Sequence, residues 1–189
     1  MTKKQRKLAV NGWQFNVAQL LKEPTGATRR YQIETLISNP TTGGVEFNSP
    51  VLGDVKFLRT GADILVTGLL ETVIQKECGR CLTPFKAPIT VELEEQFYPT
   101  IDIVSGATLP SPADDADEAN RIDEQHILDL SSVVRQGLLL ESEGVRYCRP
   151  DCKGFCPYCG QDRNTEPCQC ENEKIDLRWA NLLALQNDD

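Results

Sequence analysis

Eight cysteines at short spacings are the residues of this chain with the clearest chemistry. Six of them lie between positions 148 and 170 in the pattern Cys-x3-Cys-x3-Cys-x2-Cys-x8-Cys-x-Cys, and the other two form Cys78-Gly79-Arg80-Cys81. Dense, closely spaced cysteines without signs of export are typical of tetrahedral zinc sites rather than of disulfides. The sequence therefore predicts structural zinc.

The segment Cys156-Pro157-Tyr158-Cys159-Gly160 has the form of a zinc knuckle. Two intervening residues bring both sulfurs to one metal, and the glycine lets the backbone fold back so that its N–H groups reach the thiolates. Cys168 and Cys170 supply a second pair, because residues two apart in an extended segment project to the same side. We call Cys156, Cys159, Cys168 and Cys170 the terminal tetrad.

The four remaining cysteines are predicted to form a second tetrathiolate site. We call Cys78, Cys81, Cys148 and Cys152 the hairpin tetrad, because the first two lie between two predicted strands. From the sequence alone, two alternatives stay open. One is a single zinc with four spare structural thiols, and the other is a chain without metal.

The motif Cys78-Gly79-Arg80-Cys81 also has the spacing of a dithiol oxidoreductase. That chemistry needs the first cysteine at a helix N-terminus, where the helix dipole lowers the thiol pKa. Here the motif lies between two predicted strands, and Pro84 follows closely. Redox catalysis is therefore the less favoured interpretation.

Other catalytic arrangements find little support among the residues. His126 is the only histidine, and its neighbours provide no base–nucleophile pair. The chain has no phosphate-binding glycine-rich loop and no helical histidine pair. Because all-thiolate zinc sites leave no open position for water, the sequence predicts a non-enzymatic protein without a small-molecule substrate.

The first residues predict a cytoplasmic protein. The basic stretch 3–7 is followed by only three apolar residues before Asn11, whereas a secretory signal needs about 7–15. No apolar run approaches the ~20 residues of a membrane span. We therefore expect a soluble, cytoplasmic setting in which the cysteines stay reduced.

The net charge of −8 is unevenly distributed. Residues 1–90 carry +5, residues 91–145 carry −11 and residues 146–189 carry −2. Nonspecific nucleic-acid binders usually have a basic excess, because neutralising phosphate supplies most of their affinity. The chain as a whole does not match that class, although its first half could present a local basic patch.

The pattern of apolar residues predicts an α+β fold with a β-rich N-terminal body and a zinc-bound, cysteine-rich C-terminal module. Alternation predicts strands over 29–36, 64–74 and 89–97, and helical spacing predicts helices over 17–22, 130–138 and 176–184. The acidic segment 105–122 lacks the apolar residues that order a chain. The predicted division is therefore a body at 1–104, a flexible loop at 105–122 and a module at 123–189.

Two blocks of this sequence closely resemble the YceD family (domain of unknown function 177). One block runs from 151 to 164, Asp-Cys-Lys-Gly-Phe-Cys-Pro-Tyr-Cys-Gly-Gln-Asp-Arg-Asn, and is accompanied by 127–130, 168–170 and 176–178; the other is Cys78-Gly79-Arg80-Cys81-Leu82 with Phe85. The resemblance implies a factor needed for 23S ribosomal RNA to accumulate. It also implies action on a ribosomal precursor particle, through 23S rRNA or through ribosomal or processing proteins, and no enzymatic activity.

Basic residues near the cysteines are the candidates for contact with RNA or a partner. They are Arg80, Arg146, Arg149, Lys153, Arg163 and Arg178. The simpler interpretation is that they offset the charge of about −2 on each zinc tetrathiolate. The alternative is that some of them contact RNA phosphate. A protein–protein adaptor that never touches RNA remains a rival, because the acidic segment 91–145 would attract basic ribosomal proteins.

Overall fold

The computed structural model describes residues 12–37, 41–42, 45–110, 118–144 and 147–170. The strands in chain order are β1 (Gln14–Asn16), β2 (Thr28–Thr35), β3 (Thr41–Thr42), β4 (Val45–Glu46), β5 (Val51–Thr60), β6 (Asp63–Glu77), β7 (Pro84–Pro99), β8 (Arg121–Ile122) and β9 (Ile127–Asp129). The helices are α1 (Ala18–Leu21) and α2 (Ser131–Gly144), and one 3-10 turn covers Glu118–Asn120. The predicted α+β class with a β-rich body is confirmed.

A long antiparallel hairpin of β6 and β7 forms the centre of the sheet. Its register runs from Ile64 opposite Phe97 to Glu77 opposite Pro84. Apolar and polar residues alternate along both strands, so one face of the hairpin is buried and the other meets solvent. The hairpin ends at residues 78–83, so the tip carries the first Cys-x2-Cys motif, as the sequence predicts.

The rest of the sheet is assembled around this hairpin. β5 pairs with β6, β2 pairs with β5, and β4 joins the same edge of β6 at Gln75, while β8 pairs in parallel with β7. Gly53 allows β5 and β6 to approach, because a Cβ there would lie 2.1 Å from the Leu69 carbonyl oxygen. The sequence analysis missed β5, since this glycine interrupts its apolar alternation.

The N-terminal segment and the segment before α2 meet in a small two-stranded sheet. β1 pairs antiparallel with β9, with Phe15 opposite Leu128. Phe15 also packs against Tyr31 and Phe57 of the large sheet, with ring centroids 4.8 and 5.1 Å away. The predicted body and the predicted C-terminal part therefore share one hydrophobic core.

Helix α2 packs on the buried face of the hairpin. Asp129 Oδ1 accepts a hydrogen bond from the Ser131 backbone N–H at 2.8 Å and so satisfies a free N–H group at the start of the helix. Gly137 lets the helix lie close to β7, because a Cβ there would lie 2.7 Å from Val91 Cγ1. None of the described helices is long and apolar enough to cross a membrane.

Two sequence predictions about local structure need adjustment. Helix α1 is shorter than the predicted 17–22, because the backbone of Val17 is not helical and Lys22 is the C-cap residue. Within the predicted loop 105–122, residues 118–122 form the 3-10 turn and β8, and Ile122 is fully buried. Residues 111–117 and the predicted helix at 176–184 lie outside the described residues.

Candidate metal centre

The tip of the central hairpin folds into a knuckle whose cysteines could bind a metal ion. The Cys78 backbone N–H donates to the Thr83 carbonyl at 3.1 Å, and the Leu82 N–H donates to the Cys78 carbonyl at 2.9 Å. These bonds curl the turn so that the N–H groups of Arg80 and Cys148 lie 3.5 and 3.4 Å from the Cys78 sulfur. The backbone therefore points hydrogen-bond donors at a sulfur that a metal would hold as a thiolate.

The terminal tetrad contains a knuckle with the same hydrogen bonds. The Cys156 N–H donates to the Gln161 carbonyl at 2.8 Å, and the Gly160 N–H donates to the Cys156 carbonyl at 2.9 Å. A β-bridge joins Phe155 to Asp162 just outside this turn, as Glu77 and Pro84 are paired outside the first one. Both Cys-x2-Cys motifs therefore lie at the tips of hairpins with the same backbone hydrogen bonds.

Distances in the hairpin tetrad match a tetrahedral zinc site. The sulfurs of Cys78 and Cys152 lie 3.8 Å apart, as do those of Cys81 and Cys148. A tetrahedron with Zn–S bonds of about 2.3 Å has edges of about 3.8 Å, and a disulfide would need about 2.05 Å. All four sulfurs lie within 4.8 Å of one another. The four residues therefore fit a metal ion.

The terminal tetrad meets the same distance criterion in a more exposed place. Its four sulfurs also lie within 4.8 Å of one another. Cys156 is buried and Cys159 is exposed, while Cys168 and Cys170 are intermediate. The structure thus brings together the two sets of four that the sequence analysis grouped, and each set could bind a metal ion. The identity of that metal stays a prediction.

Backbone hydrogen bonds prepare one sulfur of each tetrad for metal binding. Burial raises the pKa of the Cys78 thiol, but backbone N–H groups, that of Cys148 foremost, outweigh burial and lower this pKa to about 6. The N–H groups of Cys159 and Tyr158 lower the pKa of the Cys156 thiol to about 6. Each knuckle therefore favours a thiolate at its first cysteine.

Crowding has the opposite effect on a second sulfur of each tetrad. Burial and then the neighbouring sulfurs raise the pKa of Cys148 to about 12. The Cys159 sulfur and then burial raise the pKa of Cys170 to about 12. Four thiolates at such distances repel one another, so complete deprotonation requires a cation among them. The donor sets are chemically suited to a thiophilic divalent ion.

Arg80, one of the predicted RNA-contacting residues, has its side chain against the segment that carries Cys148 and Cys152. Its Nη1 donates to the Cys152 carbonyl at 2.8 Å and lies 3.4 Å from the Pro150 carbonyl. Its guanidinium carbon lies 4.0 Å from the centre of the Tyr147 ring. The Arg80 side chain therefore holds the cysteine-rich segment onto the hairpin tip.

The other predicted cations differ in their surroundings. Arg149 donates to Asn164 Oδ1 at 2.8 Å and lies 3.4 Å from an oxygen of Asp151. Within the described residues, the side chains of Lys153 and Arg163 make no hydrogen bond or ion pair, and Lys153 is exposed. Arg146 and Arg178 lie outside the described residues.

Two residues of the site were missed by sequence reasoning. Leu82 has a positive φ of 53° and occupies the turn position that Gly160 fills with a φ of 73°. Aligning the two knuckles from their first cysteines would have revealed this equivalence. Asn164 Nδ2 lies 3.7 Å from the Cys152 sulfur, although Asn164 comes from the terminal tetrad's own loop. No spacing rule relates those two positions.

The fold defines a β-rich protein whose cysteine-rich segment docks on the tip of a hairpin, and each of its two groups of four cysteines could hold a metal ion. The family model described as "Large ribosomal RNA subunit accumulation protein YceD" matches residues 66–186, which include all eight cysteines. The chain belongs to this family. The resemblance predicted from the two sequence blocks is therefore confirmed.

Individual relatives agree with this assignment. An uncharacterized protein of Mycobacterium tuberculosis is 31% identical over 176 residues, covering 90% of this chain and 79% of that protein. The chloroplastic "Large ribosomal RNA subunit accumulation protein YCED homolog 1" is 28% identical in Zea mays, covering 70% of this chain and 52% of that protein. Its Arabidopsis thaliana counterpart is 26% identical, covering 73% and 49%. The comparison with solved structures gives no match.

Proposed function

We propose that this protein is a non-enzymatic ribosome-biogenesis factor that supports the accumulation of 23S rRNA in the bacterial cytoplasm. The observation that carries the proposal is the family match, which spans both tetrads and most of the β6–β7 hairpin. The chloroplastic relatives are named for accumulation of the large-subunit RNA. Closed thiolate centres stabilise a fold and provide no open coordination position for a reacting water.

Each tetrad would hold one structural zinc ion. In the hairpin tetrad Cys78, Cys81, Cys148 and Cys152 would supply the four thiolates, and in the terminal tetrad Cys156, Cys159, Cys168 and Cys170 would do so. Zinc supplies a redox-inert tetrahedral cross-link that binds thiolates tightly. The protein's contribution is to position the sulfurs and to direct backbone N–H groups at two of them.

The surface proposed to contact the precursor particle is formed by residues next to the cysteines of the C-terminal segment. Lys153 and Arg163 are the strongest candidates for phosphate contact, because neither side chain has a partner within the described residues. Tyr158 is 55% exposed at the terminal knuckle and offers an aromatic face on which an unpaired base could stack. Zinc would order the segment that carries these two cations, so we expect the RNA contact to require bound zinc.

The rRNA proposal is tested by depleting the protein and measuring the ratio of large- to small-subunit rRNA. A selective fall in the large-subunit RNA is expected, with recovery on expression of the wild-type chain. A variant lacking one thiol of each tetrad, Cys78→Ser with Cys156→Ser, should fail to restore the ratio. An unchanged ratio on depletion contradicts the proposed role.

The RNA contact is tested separately with transcribed 23S rRNA. Lys153→Ala combined with Arg163→Ala should weaken binding and reduce the slope of log affinity against log salt by about 1.5. Arg30→Ala with Lys56→Ala is the matched control, because it removes the same charge from paired residues of β2 and β5 far from the cysteines. Equal binding by the two double variants at low salt would exclude this contact.

A protein–protein adaptor is the second candidate, and the outer face of the sheet favours it. Leu52 and Leu69 are 47% and 52% exposed there. They lie opposite Glu71 and Glu92 on neighbouring strands. Such a surface, apolar and acidic, suits a basic ribosomal protein. An adaptor predicts that Leu69→Ser with Glu92→Gln weakens association with precursor particles but leaves RNA binding unchanged; unaltered association contradicts it.

A dithiol oxidoreductase is the third and least favoured candidate. Cys78 is fully buried, so a substrate disulfide has no access to its sulfur. Cys78 also lies at a hairpin tip and not at a helix N-terminus. Its lowered pKa has a structural explanation in the backbone N–H groups that a bound thiolate requires.

A further inference from the structure

Asn164 belongs to the loop of one tetrad but contacts a cysteine of the other. It lies between Cys159 and Cys168 in the chain, whereas its Nδ2 is 3.7 Å from the sulfur of Cys152 in the hairpin tetrad. An N–H directed at a metal-bound thiolate fixes the orientation of that ligand and disperses its charge. The contact between Asn164 and Cys152 therefore forms only when both the terminal loop and the hairpin tetrad have folded.

The orientation of the Asn164 amide is determined by several contacts at once. Its Oδ1 accepts from the Lys153 backbone N–H at 2.9 Å and from Arg149 Nη2 at 2.8 Å. Its Nδ2 donates to Asp162 Oδ1 at 2.7 Å, and its own backbone N–H donates to the same oxygen at 2.9 Å. The terminal loop therefore binds the backbone at Lys153, immediately after the last cysteine of the hairpin tetrad.

Arg80 provides a second contact between the tetrads, in which a residue of the hairpin tip binds the start of the terminal knuckle. Arg80 lies between Cys78 and Cys81, and its carbonyl accepts from the Phe155 N–H at 3.1 Å, next to the first cysteine of the terminal tetrad. Gly154 fits beneath this contact with a φ of 65°, and a Cβ there would lie 2.7 Å from the Arg80 carbonyl oxygen. The hairpin tip therefore supports the entry to the terminal knuckle.

We propose that Asn164 and Arg80 couple the two tetrads, so that the protein binds its two metal ions cooperatively. Filling the terminal tetrad orders the loop that carries Asn164 and completes the surroundings of Cys152. Filling the hairpin tetrad fixes Arg80 and so supports the strand that begins the terminal knuckle. Arg80 is then a positioning residue of the metal centres. The inference rests on the proposed zinc binding.

The direct test is a titration of the metal-free, reduced full chain with zinc, followed by native mass spectrometry. Two independent equal sites would place about half of the molecules in the one-zinc form at half saturation, and unequal independent sites would place more there. A tenfold coupling lowers that fraction to about a quarter. If the two tetrads are coupled as proposed, the one-zinc form of the wild-type chain should be about a quarter of the molecules at half saturation.

Asn164→Ala should raise the one-zinc fraction above the wild-type value and toward one half, because only the Arg80 link remains, while the chain still takes up two zinc ions at saturation. Gln161→Ala is the matched control, because its side chain contacts Glu166 in the same loop and no cysteine of the hairpin tetrad. It should keep the wild-type distribution. Asn164→Asp keeps an acceptor oxygen but replaces the N–H that faces the Cys152 sulfur and Asp162 with an anion, so it should raise the one-zinc fraction at least as far as Asn164→Ala does. This variant provides the test if the alanine variant does not fold.

The outcomes separate this inference from the proposed metal binding. A wild-type one-zinc fraction of half or more would overturn the coupling but leave both zinc sites in place. Uptake of a single zinc, or of none, would contradict the proposed metal sites themselves. A wild-type distribution in the Asn164→Ala and Asn164→Asp variants would overturn the role assigned to Asn164.

Discussion

The two knuckles have the same backbone hydrogen bonds but different surroundings. The first caps the longest strands of the sheet, and its tetrad is completed by Cys148 and Cys152, about seventy residues away. The second is completed by Cys168 and Cys170 from the same short loop. The same knuckle therefore takes part in a long-range cross-link in the hairpin tetrad and in a local one in the terminal tetrad.

Burial follows the same division. Cys78, Cys81 and Cys152 form a small buried cluster of their own beside the main core, whereas Cys159 is exposed. A metal in the hairpin tetrad would restrict a long stretch of the unfolded chain, and closure of a longer loop stabilises more strongly. A metal in the terminal tetrad would order only its own loop and the contacts described for Asn164.

Removing one thiol from each tetrad gives the largest expected contrast. Cys81→Ser should lower the Tm of the zinc-loaded protein by about 10 °C, because it removes a cross-link over a long loop. Cys159→Ser should lower the Tm by about 3 °C, since the sheet does not depend on its loop. Thermal unfolding followed by circular dichroism measures both. A larger loss for Cys159→Ser would reverse the comparison.

Chelation should distinguish the tetrads by their exposure. We expect a chelator to remove zinc from the terminal tetrad at least about tenfold faster, because opening a surface loop requires less unfolding than exposing a buried cluster. Pulsed alkylation with peptide mass analysis should then label Cys159 first and Cys78 last. Early labelling of Cys78 before chelator is added would instead support the oxidoreductase interpretation.

Substituting two glycines of similar φ distinguishes the cost of backbone strain from the cost of a steric clash. Gly160→Ala should cost about 1 kcal/mol, because its φ of 73° is unfavourable for alanine but no atom lies within 4 Å of the added Cβ. Gly154→Ala has a similar φ of 65° but brings its Cβ against the Arg80 carbonyl, so it should cost about 3 kcal/mol. Urea unfolding of the zinc-loaded variants measures the difference. Equal losses would show that the contact between Gly154 and Arg80 is unimportant.

The smallest expected effect comes from making the first knuckle more like the second. Leu82→Gly relieves the positive φ of an exposed leucine, while the added freedom of glycine in the unfolded chain offsets part of the gain. The free energy of unfolding should rise by about 0.5 kcal/mol. Destabilisation in the same urea assay would indicate that the Leu82 side chain contributes packing that its exposure does not suggest.

The sequence was most informative where a local pattern determines the structure. The alternation in β6 and β7 predicted the hairpin, and the two-residue spacing of cysteines predicted a knuckle at its tip. Dividing eight cysteines into two sets of four predicted the groups that the fold brings together. The hairpin, its knuckle and the terminal tetrad depend on neighbours in the chain, which a sequence displays directly. The hairpin tetrad joins cysteines about seventy residues apart and was predicted only as the four cysteines that remained.

Features that depend on distant residues could not be predicted in this way. β5 was hidden because Gly53 replaces an apolar residue to let a neighbouring strand approach. The contact of Asn164 with Cys152 exists only after both loops have folded around their cysteines. Arg80 had the character of a nucleic-acid contact in the sequence, but its partners in the structure are backbone carbonyls and Tyr147.

Elemental analysis of the full chain, purified reduced and without chelator, is the most direct test of the central claim. We expect zinc as the bound metal at two ions per chain, one in the hairpin tetrad and one in the terminal tetrad. A ratio of one would leave a tetrad as spare thiols and remove the basis for the comparison. Another metal, or none, would contradict the zinc-stabilised surface on which the proposed role in ribosome assembly depends.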